Sequence, residues 1–369
     1  MIYLDSGATS FRKPSGVSRA VQRALETCAN PGRGGYRAAL EAANTVFRCR
    51  EAAAALFDCQ PEQVCFTSNC THGLNIAIGS IVKPGARVVV SGFEHNAVTR
   101  PLHAIGADIR VAGRKLFDWD NTLEEFERQL KGGAEAAVFT HVSNVFGYIL
   151  PVEEMAALCR KYRVPFILDA AQSAGTLPVS LSKLGAAFIA MPGHKGLLGP
   201  QGTGLLLCAD TAKPLLYGGT GSESINPNMP DYLPDRLEAG TGNVPGIAGL
   251  GAGLNYLRSV GVENLGCREQ LCAERCAGEL EKLGVRVFRG PHQGGTVSFV
   301  PDMDCEELAA ALGRRGIAVR AGLHCAPLAH ESAGTIQTGT VRVSFGMDGN
   351  HRQIHELIRV LSKVLPGKD

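Results

Sequence analysis

The feature that most constrains this chain is the alternation, across its first two thirds, of short apolar runs rich in β-formers with stretches of helical periodicity. Such runs fall at 64–67, 87–90, 136–140, 165–169, 186–191 and 204–207. Alternation of this kind predicts an α/β fold of βα units around a mostly parallel sheet. The runs are nearly continuous in apolar residues, as strands are when helices cover both faces. Ligands of such sheets bind beyond the carboxyl ends of the strands, so the residues just after each run are where chemistry is to be sought.

From about residue 246 the texture changes. Helical patterns run through Leu257 and then Leu283, followed by short strands at 296–300 and 340–344 and a last helix. This predicts a smaller α+β domain. The expected division is a large domain over 13–257 and a small domain built from 1–12 and 258–369. The segment 218–243, rich in Gly, Pro, Asn and Ser, is expected to be irregular, and loops of that length tend to be functional.

A chain of 369 residues can bury a substantial core, which excludes a small disulfide scaffold. Its net charge of +2, with no long run of either sign, points to neither nucleic acid nor a membrane surface. Residues 1–10 lack the basic and apolar stretches of a signal peptide, and no apolar run is long enough to span a bilayer. Twelve scattered cysteines are expected to be reduced thiols, so the expected compartment is the cytoplasm.

Four strand-following segments carry candidate chemistry. Phe166-Ile167-Leu168-Asp169-Ala170-Ala171-Gln172 ends a buried strand on a carboxylate, costly there unless a cation meets it. The protonated pyridine nitrogen of pyridoxal phosphate would be such a cation; capping of the next turn is the alternative. Gly193-His194-Lys195-Gly196 sets a lysine in a glycine-rich turn, either solvated or desolvated enough to form an imine and shuttle protons. Asn69-Cys70-Thr71 opens an apolar helix whose free N–H groups suit a phosphate or need no ligand at all. Glu94-His95 follows another strand, placing an imidazole over the same sheet edge, as a ring-stacking proton carrier or as a structural residue.

These segments, with His141-Val142-Ser143-Asn144 and Glu238-Ala239-Gly240-Thr241 in the same order, resemble the class V aminotransferase superfamily nearly end to end. Arg320-Ala321-Gly322-Leu323-His324-Cys325-Ala326 is similar to the signature of its cysteine desulfurases and selenocysteine lyases. The resemblance implies the pyridoxal-phosphate-dependent fold type I, and a reaction in which L-cysteine or L-selenocysteine yields alanine while Cys325 takes the sulfur as a persulfide. It assigns Lys195 the covalent link to the cofactor, Asp169 its pyridine nitrogen, Gln172 its phenolate oxygen, and His95 stacking and proton transfer, with Asn144 beside the ring. Phosphate contacts fall to Thr71, the Cys70 backbone, His194, and Thr241 from a second subunit, which implies a homodimer. Arg342 is assigned the substrate carboxylate, with Asn144 and Arg320 also near the substrate. An acceptor protein for the sulfur or selenium is implied without being identified.

Three positions depart from the family pattern: Cys70 and Pro192 replace usual hydroxyl residues, and Leu323 replaces a usual second histidine. Ionisation of Cys325 is left to His324, Arg320 or substrate groups. Two rival readings stand beside this one. One keeps the cofactor but makes Cys325 incidental, as in an aminotransferase, epimerase or β-lyase. The other is a metal or redox sensor using His324, Cys325 and His330, whose spacing matches no common zinc motif, so no metal is expected.

Overall fold

The structure, a computed structural model, describes residues 1–32, 34–209 and 211–365; the last four residues of the expected small domain lie outside the described residues. Its strands are β1 (Ile2–Tyr3), β2 (Val64–Thr67), β3 (Arg87–Ser91), β4 (Asp108–Ala112), β5 (Ala136–Thr140), β6 (Phe166–Asp169), β7 (Phe188–Pro192), β8 (Gly204–Cys208), β9 (Arg286–Phe288), β10 (Thr296–Val300), β11 (Ile317–Ala318), β12 (Arg320–Gly322) and β13 (Thr340–Ser344). A seven-stranded sheet has the order β2-β8-β7-β6-β5-β3-β4. The four pairings joining β4, β3, β5, β6 and β7 are parallel, while β8 runs antiparallel to both its neighbours.

The direction of β8 follows from its connection. A parallel return needs a crossover of a dozen or more residues, usually a helix. The chain between β7 and β8 is instead a glycine-rich turn pinched by the Gly193 N–H donating to Thr203 O at 2.8 Å. That turn carries Lys195. β4 escaped the sequence reading because it is a half-exposed edge strand with alternating polar residues, its Asp108 held by Arg87 and Arg110.

Helices cover both faces, and the central strands are buried along their whole length. The helix Val244–Val260 packs on Ser15–Thr27 and Arg37–Phe57, and its glycines permit the approach. A Cβ on Gly253 would lie 2.4 Å from Leu197 O, and one on Gly249 2.7 Å from Pro200. This helix therefore clamps the far side of the Lys195 turn.

The remaining strands form a smaller α+β unit. β12-β13-β10-β9 make an antiparallel sheet, packed with the helices Val262–Lys282, Cys305–Arg314 and His351–Val364 around Leu4, Phe299, Val341, Val343, Leu357 and Leu361. The chain start belongs with it in space: β1 pairs with β11 and Asp5 bridges to Ser344. The segment 218–243 carries neither helix nor strand, in line with its composition. None of the helices among the described residues is long and apolar enough to cross a membrane.

Candidate active site

The carboxyl ends of β3, β5, β6 and β7 open onto one cavity of about 240 Å³. His95 enters it from the turn after β3 and Asn144 from the segment after β5. Asp169 ends β6 with Gln172 three residues on, and His194 and Lys195 follow β7. Cys70 and Thr71 come from the first turn of the helix Cys70–Ile81. Every residue assigned to the cofactor except Thr241 thus meets in one place. Thr241 is exposed and lines a separate cavity of about 380 Å³ with Thr67, Ser68 and His72.

Asp169 is 2% exposed. Its Oδ1 accepts from the Ala171 N–H at 2.9 Å and from the Cys70 thiol at 3.4 Å, leaving Oδ2 without a hydrogen bond among the described residues, and Asp169 lines the cavity. A carboxylate in that position calls for a cation, since burial of an unpaired charge is costly. Cys70, where relatives often carry a hydroxyl, therefore steadies Asp169, and burial with the Asp169 charge pushes its own thiol pKa well up.

Lys195 is held in a desolvated turn. Burial, aided by the Arg342 charge, lowers its pKa against the opposing pull of Asp169, so the neutral amine needed for imine formation is favoured. The His95 ring caps its own helix: Nδ1 accepts from the Ala97 N–H at 3.0 Å, which places the proton of the neutral ring on Nε2. Burial lowers its pKa too. His194 turns its carbonyl toward Ser10 and Thr9, and its Nδ1 lies 3.0 Å from Thr9 Oγ1. Gln172 Nε2 donates to Gly7 O at 3.0 Å.

The Cys325 segment reaches this cavity from the smaller unit. The Asn96 N–H donates to Cys325 O at 2.7 Å, and Asn144 Nδ2 donates to His324 O at 2.8 Å. Both His324 (φ 49°) and Cys325 (φ 57°) adopt the left-handed conformation, which costs a non-glycine residue of order 1–3 kcal/mol where strained. The result is a sharp turn with Cys325 exposed at its tip and the His324 ring buried beneath it. Leu323, in place of a second histidine, is exposed beside the tip.

Two neighbours were candidates to ionise Cys325, and the geometry separates them. His324 Nε2 sits 3.2 Å from Thr340 O, and burial next to Arg342 drives its pKa down to about 2, so it carries no charge. Arg320 Nη2, by contrast, lies 3.9 Å from Cys325 Sγ. His330 Nδ1 lies 2.8 Å from Thr335 Oγ1 and its ring stacks on that of His324, with centroids 5.7 Å apart, but no three His, Cys, Asp or Glu side chains among the described residues are grouped so as to hold a metal ion.

Arg342 is 1% exposed; Nη1 donates to Asn144 O at 3.0 Å and Nη2 to Asp5 Oδ1 at 2.6 Å, while Nε has no partner. Gly7 faces it: a Cβ there would stand 3.2 Å from Arg342 Cζ. The guanidinium is thus fixed in orientation, although Arg342, like Arg320 and Cys325, is not among the residues lining the cavity. Asp5 and Gly7, which position Arg342, were not assigned a role from the sequence, because their partner lies more than 330 residues away.

Comparison with known proteins agrees with this geometry. The class-V aminotransferase family matches residues 2–357. A probable cysteine desulfurase of Pyrococcus abyssi is 31% identical over 99% of this chain and 94% of its own length. One from Methanothermobacter thermautotrophicus is 31% identical over 98% and 94%. Among solved structures, the apo cysteine desulfurase of Thermococcus onnurineus superposes with a TM-score of 0.92 at 31% identity, covering 99% of this chain and 95% of that one. The cysteine desulfurase CsdA of Escherichia coli gives 0.87 at 25% identity, covering 98% and 94%. The α/β architecture described above is that of the pyridoxal-phosphate fold type I, and the chain belongs to the class-V aminotransferase family, among its cysteine desulfurases.

Proposed function

We propose that this chain is a pyridoxal-phosphate-dependent cysteine desulfurase that releases L-alanine and stores the sulfur as a persulfide on Cys325. The observation that carries the reading is the convergence of Lys195, Asp169 and His95 in one cavity, with Cys325 tied to its edge by Asn96 and Asn144. The cavity fits the cofactor. Asn69 caps the helix Cys70–Ile81 at His72, so the Cys70 and Thr71 N–H groups remain available to a phosphate, with Thr71 Oγ1 and His194 on the same wall. In this reading Asp169 would meet the pyridine nitrogen and Lys195 the aldehyde.

When bound, the cofactor's protonated ring draws electrons from the substrate's Cα. Asp169 keeps that ring protonated. Arg342 holds the substrate carboxylate through its planar guanidinium. Lys195 removes the Cα proton as a neutral amine and later returns a proton. Cys325, as thiolate beside Arg320, attacks the substrate sulfur: the Sγ–S bond forms, the S–Cβ bond breaks, and Cβ receives a proton. His95 would stack on the ring and offer its Nε2 proton.

The same reading makes the protein a homodimer in the cytoplasm, handing sulfur to an acceptor protein. Thr241 would then serve the second subunit's phosphate. Exposed Tyr36, Leu40, Leu216, Tyr217 and Tyr232 near that loop supply apolar surface for a second copy. We also retain the division into a large domain of 13–257 and a small one of 1–12 and 258–369.

The test is alanine release from L-cysteine by cofactor-loaded protein under a reductant. Wild type is expected to turn over, and Cys325→Ala to lose the activity. Equal rates in the two proteins would make the thiol incidental and favour an aminotransferase-type reaction.

A further inference from the structure

A second, narrow crevice is lined by Lys195 but not by Cys325. It holds about 60 Å³, room for a file of about four waters given that each needs roughly 10–15 Å³ of such space. Ser6, Ser10, Gln172 and Lys195 line its inner end, and Glu269 and Gln270 of the helix Val262–Lys282 its outer part, with Gln270 exposed at the surface. It therefore runs between the seven-stranded sheet and the smaller unit. Among the described residues Glu269 has no hydrogen-bonding or ionic partner. Glu269 is only partly covered and neither of its carboxyl oxygens is among the fully buried atoms without a partner, so the carboxyl keeps access to water.

We propose that this crevice is a water-filled proton passage between Lys195 and bulk solvent, with Glu269 as its titrating relay. The inference rests on Lys195 acting as the base of the desulfurase reaction. The proton that Lys195 Nζ takes from Cα passes to the adjoining water, along the file to the Glu269 carboxylate, and from the resulting acid to solvent at Gln270. The reverse route supplies the proton that completes the methyl group of alanine, so no co-reactant is needed.

The electrostatics suit a relay. Burial, with the nearby Asp348 charge, raises the Glu269 carboxyl to about 8, close to working pH. Asp348 is itself paired with Arg12 at 3.3 Å. Gly294, Gly295 and Thr296 bring no charge to the crevice from the β10 side, and Arg268 and Cys272 on Glu269's own helix are its remaining ionisable neighbours. A Cβ on Gly295 would sit 3.0 Å from Glu269 Oε2, so glycine there keeps the carboxyl free.

Two measurements test this. In the cofactor-free protein, infrared difference spectra should show carboxylic acid absorption titrating near pH 8 from Glu94 and Glu269, and Glu269→Gln should remove the Glu269 contribution; unchanged absorption in Glu269→Gln would overturn the assignment. In the holoenzyme, alanine made from α-deuterated L-cysteine in ordinary water should lose its label in wild type. Glu269→Gln should retain it several-fold more, and Glu269→Asp, still titratable, should restore the loss. Equal label loss in Glu269→Gln and wild type would refute the passage. Absence of alanine from wild type would instead refute the desulfurase reading, leaving the infrared difference between wild type and Glu269→Gln to report on Glu269 alone.

Discussion

Asp169 and Lys195 illustrate how placement would make single residues reactive in the proposed reaction: each is an ordinary side chain set where water is scarce. Asn at 169 would keep the shape but cannot hold the ring nitrogen protonated. Asp169→Asn is expected to lower kcat by about 10²–10³, the usual cost of removing one preorganised electrostatic partner, with the yellow cofactor retained; kinetics beside the absorption spectrum would check it. Arg342→Lys trades a planar fork for a point charge, so KM for L-cysteine should rise about tenfold or more while kcat changes less. Both residues were legible in the sequence because each lies in a short contiguous motif. Asp5, Gly7 and Glu269 were not, since their meaning depends on contacts made across the whole chain. Cys70 was read as a phosphate-site departure, and its thiol contact to Asp169 became visible only once β6 and the helix Cys70–Ile81 were side by side.

Among the elements, the turn carrying Cys325 depends on its neighbours for its shape. Gly339 (φ 63°) presses on it from β13's approach: a Cβ there would come within 2.9 Å of Gly322 Cα. Gly339→Ala should therefore displace the Cys325 tip. Since a misplacement of about 1 Å costs on the order of 10²-fold, persulfide formation should fall by about that factor while Lys195 still binds cofactor. Rapid-quench measurement of persulfide, compared with cofactor absorbance, separates the two. Strands in the centre of the sheet were legible to within two residues because burial on both faces leaves an unbroken apolar run. β4 was not, being a solvent-facing edge, and the antiparallel direction of β8 is set by the Gly193–Thr203 pinch rather than by any property of the strand itself.

For the whole molecule, the buried titratable groups set how stability responds to pH. Burial lowers His141, His194 and His330 to about 4 and His324 to about 2, so the unfolded chain binds their protons first and stability is lost as pH falls below 6.5. Glu94 and Glu269 are raised to about 8, so their contribution is lost as pH rises from 4.5 toward 8. Four histidines outweigh two glutamates between 4.5 and 6.5; from 6.5 to 8 the two glutamates act, opposed by the lowered lysines Lys195 and Lys13, the latter lowered to about 8. The Tm of the cofactor-free protein should therefore peak near pH 6.5; a Tm rising steadily to pH 8 would contradict these assignments. Thiols follow the same logic of burial: Cys49, Cys159 and Cys276 are pushed up to about 12, while Cys267 and Cys325 are exposed. The most direct test of the central claim is the intact mass of the cofactor-loaded protein after brief exposure to L-cysteine without reductant. Wild type and Cys267→Ala should each gain the mass of one sulfur atom and Cys325→Ala none; a sulfur adduct that survives in Cys325→Ala would show that this thiol is not the acceptor.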